Sequence, residues 1–258
     1  MPTKQPTPAD FPTNLTITLH APQTAQNRPA PNILILLHGL GDTAAQFAQF
    51  GKAINLPETL VLTVQAPAPL PFDLHGFHWG DDVSFDSSTG ALDMDAGFAK
   101  SLRVLLDDVV RGVLVRKCGY ALREIMLLGF GQGGMLGLLA ARELGVAPRV
   151  VEEGAEGKET GELSGVISIG APYPVSGSVV GKKNRSPVLV VAGRDSPVVT
   201  DGAVSRTKQV FEFVELARYE RRGDGMPRSR EEMLPVMRFF ARRLRSWAGV
   251  PEGSVEII

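Results

Sequence analysis

The residues from Gly129 to Gly133 have the spacing of a turn that carries the catalytic nucleophile in many hydrolases. They read Gly-Phe-Gly-Gln-Gly and lie between an apolar run at 125–128 and a stretch of small residues typical of a helix. In the motif G-x-S-x-G, a serine at the centre of a sharp strand-to-helix turn attacks the substrate carbonyl. Here the outer glycines are present, but the central residue is Gly131, which has no side chain to act as a nucleophile.

A glycine-rich turn has other uses, because phosphate loops and dinucleotide folds also place glycines between a strand and a helix. Two observations argue against those uses. The turn lies far into the chain, after several predicted strands, and a second motif at 38–43 (HGLGDT) follows the first buried strand. The two motifs together are more specific than either one alone.

HGLGDT at 38–43 and GFGQGG at 129–134 together resemble the motifs of the acyl-protein thioesterases and small carboxylesterases, the phospholipase/carboxylesterase family. An aromatic segment at 77–79 falls where that family has its own tryptophan-bearing loop, and the resemblance covers roughly residues 30–245. It implies the α/β-hydrolase fold, with a mostly parallel central sheet and helices on both faces. It also implies acyl chains on protein thiols or lysophospholipids as substrates, by analogy alone.

The resemblance further implies an oxyanion hole formed by the backbone N–H groups of Leu40 and Gln132. Backbone donors survive side-chain substitution, so the hole is expected to persist without a nucleophile. Trp79, in the aromatic segment, joins the expected ligand-binding residues.

The family's acid and base positions are also substituted. The acid lies in G-x-x-D-P-x-V, and alignment on Gly193 and Pro197 puts Ser196 at that position, with Asp195 one residue early. A local shift would let Asp195 act, but a solvated loop aspartate is the simpler interpretation. The base lies in G-M-x-H-S, where this chain has Arg228, which stays protonated at physiological pH and cannot accept the nucleophile's proton.

No histidine elsewhere completes the triad, because the hydrolase order requires a base after the elbow and no histidine follows residue 78. The leading hypothesis is therefore a pseudo-hydrolase with a binding or regulatory role. One alternative is an active carboxylic-ester or acyl-protein thioester hydrolase with a non-standard catalytic arrangement. Another is a structural or interaction protein whose cleft is unused.

A binding role would use the cleft that these substitutions leave. Gly131 is expected to leave a void, and the N-terminus of the following helix adds partial positive charge to the two oxyanion N–H groups. Arg228 would add a permanent cation, so the sequence predicts a small acyl or carboxylate ligand, or an acylated protein as partner.

Arg228 has a simpler interpretation as well. It could face solvent and pair with Glu231 or Glu232 at the start of the following helix, or be neutralised by Asp224.

Other chemistry is weakly supported. His75 and His78 lie near Asp73, Asp81, Asp82 and Asp86, but no spacing is diagnostic of metal ligands, so no metal site and no cofactor is predicted. A net charge of −1 gives no general attraction to nucleic acid, and a single cysteine excludes an intrachain disulfide. The polar N-terminus and the lack of a long apolar run predict a cytoplasmic protein without stable membrane insertion.

The elements that must position these residues follow from the apolar pattern. Residues 1–30 form an N-terminal extension with an edge strand at 15–19, 31–247 form the α/β-hydrolase domain, and 248–258 form a C-terminal tail. Buried strands are predicted at 32–37, 60–64, 125–128, 166–169 and 188–191, and a last strand at 213–216. Helices are predicted at 92–117, 134–144 and 230–247, with a cleft loop at 66–90 and an acidic solvated loop at 150–162.

Overall fold

The computed structural model describes residues 3–22, 28–71, 74–85, 90, 92–146 and 161–248. Residues 150–160 of the predicted acidic loop lie outside the described residues, as does the predicted C-terminal tail beyond residue 248. Asp73 and Asp86 of the cleft loop also lie outside them.

Within the described ranges the central sheet contains seven strands, and all but one of their pairings are parallel. The strands are β1 (Ile17–His20), β2 (Asn32–Leu37), β3 (Thr59–Val64), β6 (Ile125–Phe130), β7 (Gly165–Ile169), β8 (Val188–Ala192) and β9 (Val214–Arg218). Their order is β1-β3-β2-β6-β7-β8-β9, and only β1 runs antiparallel to its neighbour. Between β3 and β6, two short strands, β4 (Ala68–Pro69) and β5 (Phe77–His78), form a separate ribbon in the cleft loop.

The apolar runs predicted the central strands correctly. Every residue of β2, β3, β7 and β8 is buried, and so is β6 except for its last residue. A parallel strand covered on both faces has no solvent-exposed face, which is why its sequence is apolar throughout. The predicted edge strand at 15–19 is β1 at 17–20, and the strand predicted at 213–216 is β9 at 214–218.

Helices cover both faces of the sheet. They are α1 (Ala44–Ile54), α2 (Ala99–Arg103), which continues as a π-helical segment (Val104–Lys117), α3 (Gln132–Val146), α4 (Asp201–Val210) and α5 (Arg230–Arg243). Buried side chains of α1 and α5 share one core with one face of the sheet. Side chains of the π-helical segment, α3 and α4 share the other core. The mostly parallel sheet with helices on both faces is therefore confirmed.

Two predicted helix boundaries are wrong. The helix predicted from residue 92 begins at Ala99, because the Asp81 carboxylate accepts hydrogen bonds from the N–H groups of Ala99 and Lys100 and the backbone at Gly97 has a φ of +78°. The final helix ends at Arg243 and not at Trp247. The Asn32 side chain there accepts a hydrogen bond from Arg245 N and donates one to Arg245 O, which holds the chain off the helical path.

No helix within the described ranges is both long enough and apolar enough to cross a lipid bilayer.

Candidate functional site

The glycine turn lies where the motif places it, between the end of β6 and the start of α3. Gly131 has a φ of +52°, and its N–H donates a hydrogen bond to Ile169 O at 2.8 Å. The flanking positions require glycine because backbone atoms of neighbouring segments lie close to them. A Cβ on Gly129 would lie 2.3 Å from the Gly133 backbone, and a Cβ on Gly133 would lie 2.3 Å from Leu37 O. The backbone thus makes the sharp strand-to-helix turn that the motif predicts, with no side chain at its centre.

Met94 lies over Gly131, so the predicted void is not present. The methyl carbon of Met94 is 3.1 Å from the position that a Cβ on residue 131 would take. Gly131 has no side chain to exclude it, and the partly buried Met94 packs against the adjoining core. The expectation that Gly131 leaves an open space is therefore wrong in this structure, because the methyl group of Met94, from the segment after the cleft loop, covers this position.

The Met94 segment is held at both sides. On one side, Gln132 Nε2 donates to Met94 O at 3.4 Å, while Gln132 Oε1 accepts from Trp79 N at 2.7 Å. On the other side, the Asp95 carboxylate accepts hydrogen bonds from the backbone of Val175 and from both the backbone and the hydroxyl of Ser176. Residues 93–95, here named the cleft strap, therefore connect the elbow with the loop after β7.

The two predicted oxyanion donors lie at the ends of adjacent elements. Leu40 follows β2 within HGLGDT, and its N–H has no hydrogen-bond acceptor among the described residues. Gln132 is the first residue of α3, so its N–H belongs to the first-turn donors that have no acceptor within a helix. Because β2 and β6 are neighbouring parallel strands, both groups lie at the same edge of the sheet.

His38 and Trp79 support this edge from behind. The imidazole of His38 is fully buried, with Nδ1 2.7 Å from Gly39 O and with Nε2 accepting from Ala66 N at 3.0 Å. Both ring nitrogens are thus engaged, and burial lowers the pKa of His38, so the neutral form is favoured. Trp79 is also fully buried, and its indole N–H donates to His38 O at 2.8 Å. Trp79 therefore holds the HGLGDT loop in place, and its place among the ligand-binding residues stays a prediction.

Arg228 lies at the predicted base position. Its guanidinium group forms no hydrogen bond and no ion pair with any described residue. Its side chain is exposed, and only its backbone N–H is bonded, to Glu232 Oε2 at 2.8 Å. The other carboxylate oxygen of Glu232 accepts from Arg221 Nε at 2.7 Å. The alternative pairings of Arg228 with Glu231, Glu232 or Asp224 are thus not observed.

The acid position holds a serine bonded to a carboxylate from a different loop. Ser196 Oγ donates to Asp224 Oδ2 at 2.6 Å, and it accepts from the N–H groups of Val198 and Val199. Asp224 Oδ1 accepts from Gly193 N at 2.9 Å. Asp195 does not shift toward the site, because its half-exposed carboxylate accepts from Gly223 N and pairs with Arg222 at 3.4 Å.

Sequence reasoning missed Met94 and Arg221, and it considered Asp224 only as a charge that could neutralise Arg228. Met94 and Asp224 lie in loops and are not part of a motif, so their contacts are visible only in the folded structure. Asp224 does carry one signal, because it directly precedes the Gly-Met pair that marks the base loop.

The remaining histidines lie apart from a triad arrangement. His20 ends β1 at the edge of the sheet, and His75 is exposed on the cleft loop. His78 is buried, burial lowers its pKa, and its Nδ1 has no hydrogen-bond partner among the described residues. Within the same ranges, no three His, Cys, Asp or Glu side chains are grouped to hold a metal ion.

Comparison with known proteins identifies related chains. A family model described as Phospholipase/Carboxylesterase matches residues 21–243. The chain is 28% identical over 218 residues to an uncharacterized hydrolase of Schizosaccharomyces pombe, and the match covers 83% of each protein. It is 41% identical over 111 residues to an uncharacterized hydrolase of Mycosarcoma maydis, covering 42% of this chain and 40% of that protein.

Solved structures share the fold at low sequence identity. Esterase PE8 superposes with a TM-score of 0.68 at 18% identity, covering 89% of this chain and 99% of that one. The acyl-protein thioesterase 2 of Zea mays superposes with a TM-score of 0.58 at 21% identity, with coverages of 89% and 99%.

Proposed function

The chain belongs to the phospholipase/carboxylesterase family, and we propose that it binds a carboxylate-bearing ligand in the family's cleft without serine-hydrolase chemistry. The observation that carries the proposal is Gly131 at the centre of the elbow, covered by the methyl group of Met94. Formation of an acyl-enzyme needs a nucleophilic side chain and a base that accepts its proton. Gly131 supplies no nucleophile, and Arg228 at the base position cannot accept a proton.

The groups around the elbow favour an anion. Leu40 N–H and Gln132 N–H lie at one edge of the sheet, and the 15-residue helix α3 begins there with its positive dipole end. The guanidinium group of Arg228 has no charged partner among the described residues and is free to bind a carboxylate through two parallel hydrogen bonds. A fatty acid or a protein C-terminus supplies such a group.

Binding at the elbow requires Met94 to move. Methionine has an unbranched side chain with several rotatable bonds, so it changes rotamer at low cost compared with a branched residue. The methyl group over Gly131 is therefore proposed as a displaceable cover that occupies the apolar space when no ligand is bound.

The absence of serine chemistry is tested by hydrolysis assays on the purified protein with short-chain aryl esters and acyl thioesters. We expect no turnover above background and no labelling by a serine-directed phosphonate. Turnover that co-purifies with the protein and is blocked by the phosphonate would overturn the proposal. Turnover that resists the phosphonate would instead favour the alternative of an active hydrolase with a non-standard arrangement.

Ligand binding is tested by calorimetric titration with decanoate. We expect Arg228→Ala to weaken binding at least about fivefold, since a charge-assisted hydrogen bond contributes more than about 1 kcal/mol. Arg230→Ala is the matched control, because Arg230 is exposed two residues further along and should not affect binding. Equal binding by wild type and Arg228→Ala would remove Arg228 from the site. Failure of the wild type to bind would favour a structural protein with an unused cleft.

A further inference from the structure

The carboxylate that Ser196 contacts lies where the side chain of the family's acid would end. The Oγ of serine and the Cγ of aspartate are both one bond beyond Cβ, so Ser196 Oγ marks the approximate place of a carboxyl carbon. Asp224 Oδ2 lies 2.6 Å from that oxygen. We infer that Asp224 has taken over the place of the acid, with its carboxylate supplied from the base loop after β9 instead of from the loop after β8.

The carboxylate is close to the elbow. Gly170 follows β7, and a Cβ on Gly170 would lie 3.1 Å from Asp224 Cβ and 3.8 Å from its carboxyl carbon. The preceding residue, Ile169, accepts the hydrogen bond from Gly131 N at 2.8 Å. Asp224 is therefore separated from the elbow by a single backbone segment, at the edge of the sheet where the strand ends converge.

The orientation of Asp224 is fixed from two sides. Its carboxylate accepts hydrogen bonds from Ser196 Oγ and Gly193 N, which hold both oxygens. The loop that carries it is fixed by Arg221, whose guanidinium donates to the carbonyl groups of Gly223, Gly225 and Met226. Arg221 also stacks over Tyr219 at 4.6 Å and pairs with Glu232. A surface loop aspartate without a role would not be expected to have this many constraints.

This assignment gives Asp224 the role of a positioning residue, which would orient an imidazole if position 228 held one. An imidazole at position 228 that could reach a carboxylate at position 196 would also reach Asp224, because the two carboxylates would occupy nearly the same space. The chain has thus lost the nucleophile and the base but retains the acid, at a sequence position where motif alignment does not look for it.

The test introduces an imidazole and measures its proton affinity. Arg228→His is prepared alone, with Asp224→Asn and with Asp195→Asn, and the new histidine is titrated by NMR. Its signals are identified by their absence from wild type, which has four histidines. With Asp224 present, we expect the pKa of the introduced imidazole to be higher than in the Asp224→Asn protein by about one pH unit, since an opposite charge within about 4–6 Å favours the charged form.

The control separates Asp224 from the other charges nearby. Glu232, which bonds to the backbone at position 228, and its partner Arg221 are the same in all three proteins. Asp195→Asn removes a carboxylate that faces Arg222 and Gly223 and should change the imidazole pKa little. An unchanged pKa in the Asp224→Asn protein, or a larger effect of Asp195→Asn, would overturn the assignment.

A further variant covers the case in which Asp224→Asn does not fold. Ser196→Ala with Arg228→His removes the hydroxyl that occupies one oxygen of Asp224. We expect the imidazole pKa to be higher than with Ser196 present, because the carboxylate has lost a hydrogen-bond donor and is free to pair with the imidazole. An unchanged or lower pKa would show that the imidazole does not reach Asp224. None of these outcomes depends on whether the cleft binds a fatty acid.

Discussion

Gly131 has two separable effects on the elbow, one on chemistry and one on the backbone. Its missing side chain removes the nucleophile, and its freedom to adopt a φ of +52° removes the strain that a serine would bear there. The outer glycines cannot change in the same way, since any Cβ on Gly129 or Gly133 would collide with backbone atoms. The motif therefore remains recognisable after its centre has changed, because its flanks serve the fold.

Gly131→Ser is predicted to lower the stability of the protein. A side chain in the left-handed region costs on the order of 1–3 kcal/mol, and here its Cβ would also press on Met94 Cε at 3.1 Å. The free energy of unfolding is measured by urea denaturation. The variant should also remain inactive toward esters, because Arg228 cannot act as the base.

The matched control is Gly223→Ser. Gly223 has a φ of +73°, but a Cβ there would have no atom within 4 Å, so this variant reports the backbone strain alone. Met94→Ala combined with Gly131→Ser should recover the part of the loss that comes from the contact with Met94. A Gly131→Ser protein as stable as wild type would mean that the turn is not strained as the φ value indicates.

Ser196→Asp is predicted to destabilise the protein and not to restore a missing acid. The new carboxylate would lie against Asp224, where Ser196 Oγ now donates a hydrogen bond at 2.6 Å. Two like charges at this distance favour sharing a proton, so the pKa of one carboxyl is raised in the folded state. The folded state then binds more protons than the unfolded state, and the deficit in stability should shrink as the pH falls from about 7 toward about 4.

Ser196→Asn provides the comparison for that prediction, because asparagine has nearly the same shape as aspartate but carries no charge. Its effect on the urea midpoint should depend much less on pH across the same range. A Ser196→Asp protein whose loss of stability stays constant with pH would mean that the two carboxylates do not interact.

Residues within one motif were predictable from sequence, whereas residues brought together by tertiary approach were not. Gly131 follows from its spacing to Gly129 and Gly133, which the fold requires, and Arg228 follows from its spacing to Gly225 and Met226. The carboxylate beside Ser196 could not be found in this way, because the loops after β8 and β9 face each other and a carboxylate from either one can fill the same space. Alignment therefore pointed to Ser196, and the structure points to Asp224 beside it.

At the scale of elements, the buried strands were predictable and two of the helices were not. Strands covered on both faces have continuous apolar runs, which is a strong signal. In contrast, α1 and α4 bury only part of their surface and begin at the N-cap residues Thr43 and Thr200, whose hydroxyls accept from Gln46 N and Ala203 N. The cleft strap was not predictable either, because it is held by side-chain contacts distant in sequence and not by any periodic pattern.

Loss of the Asp95 carboxylate is predicted to loosen the cleft strap. Asp95 accepts from the N–H groups of Val175 and Ser176, so Asp95→Ala leaves both donors without this acceptor. Amide hydrogen exchange at residues 175 and 176 should accelerate, because local opening no longer breaks these bonds. Exchange in the buried strand β8 should not change.

Asp82→Ala is the control for the strap, because Asp82 lies in the adjoining cleft loop and, among the described residues, its carboxylate accepts a hydrogen bond from the neighbouring Val83 N alone. Its exchange rates at residues 175 and 176 should match those of wild type. Faster exchange in both variants would mean that the cleft loop loosens as a whole, and the strap would not be a distinct fixed segment.

At the scale of the whole molecule, the sheet joins two cores, and the buried histidines lie at the edge where the cleft opens. His38 connects the HGLGDT loop to the end of β3 through its bonds to Gly39 O and Ala66 N, and Trp79 packs against it at 5.1 Å between ring centroids. His78 is buried in the neighbouring ribbon. Protonation of either ring therefore acts on the stability of the molecule.

The free energy of unfolding is predicted to fall as the pH decreases from about 7 to about 5. Burial lowers the pKa of both His38 and His78 from the usual value of 6.5, so below that pH the unfolded chain binds protons that the folded chain excludes. Stability should be fully present above about pH 6.5 and should be lost as the pH falls toward the folded-state values. Protonation of His38 Nε2 would also remove the acceptor for Ala66 N. Asp10, whose pKa is lowered to about 2, contributes mainly below this range.

Urea denaturation at several pH values gives the slope of the unfolding free energy against pH, and this slope should be smaller for His38→Gln than for wild type. His75→Gln, which changes an exposed histidine, should leave the slope unchanged. A stability that rises as the pH falls, or a His38→Gln slope equal to that of wild type, would show that His38 does not couple protonation to folding.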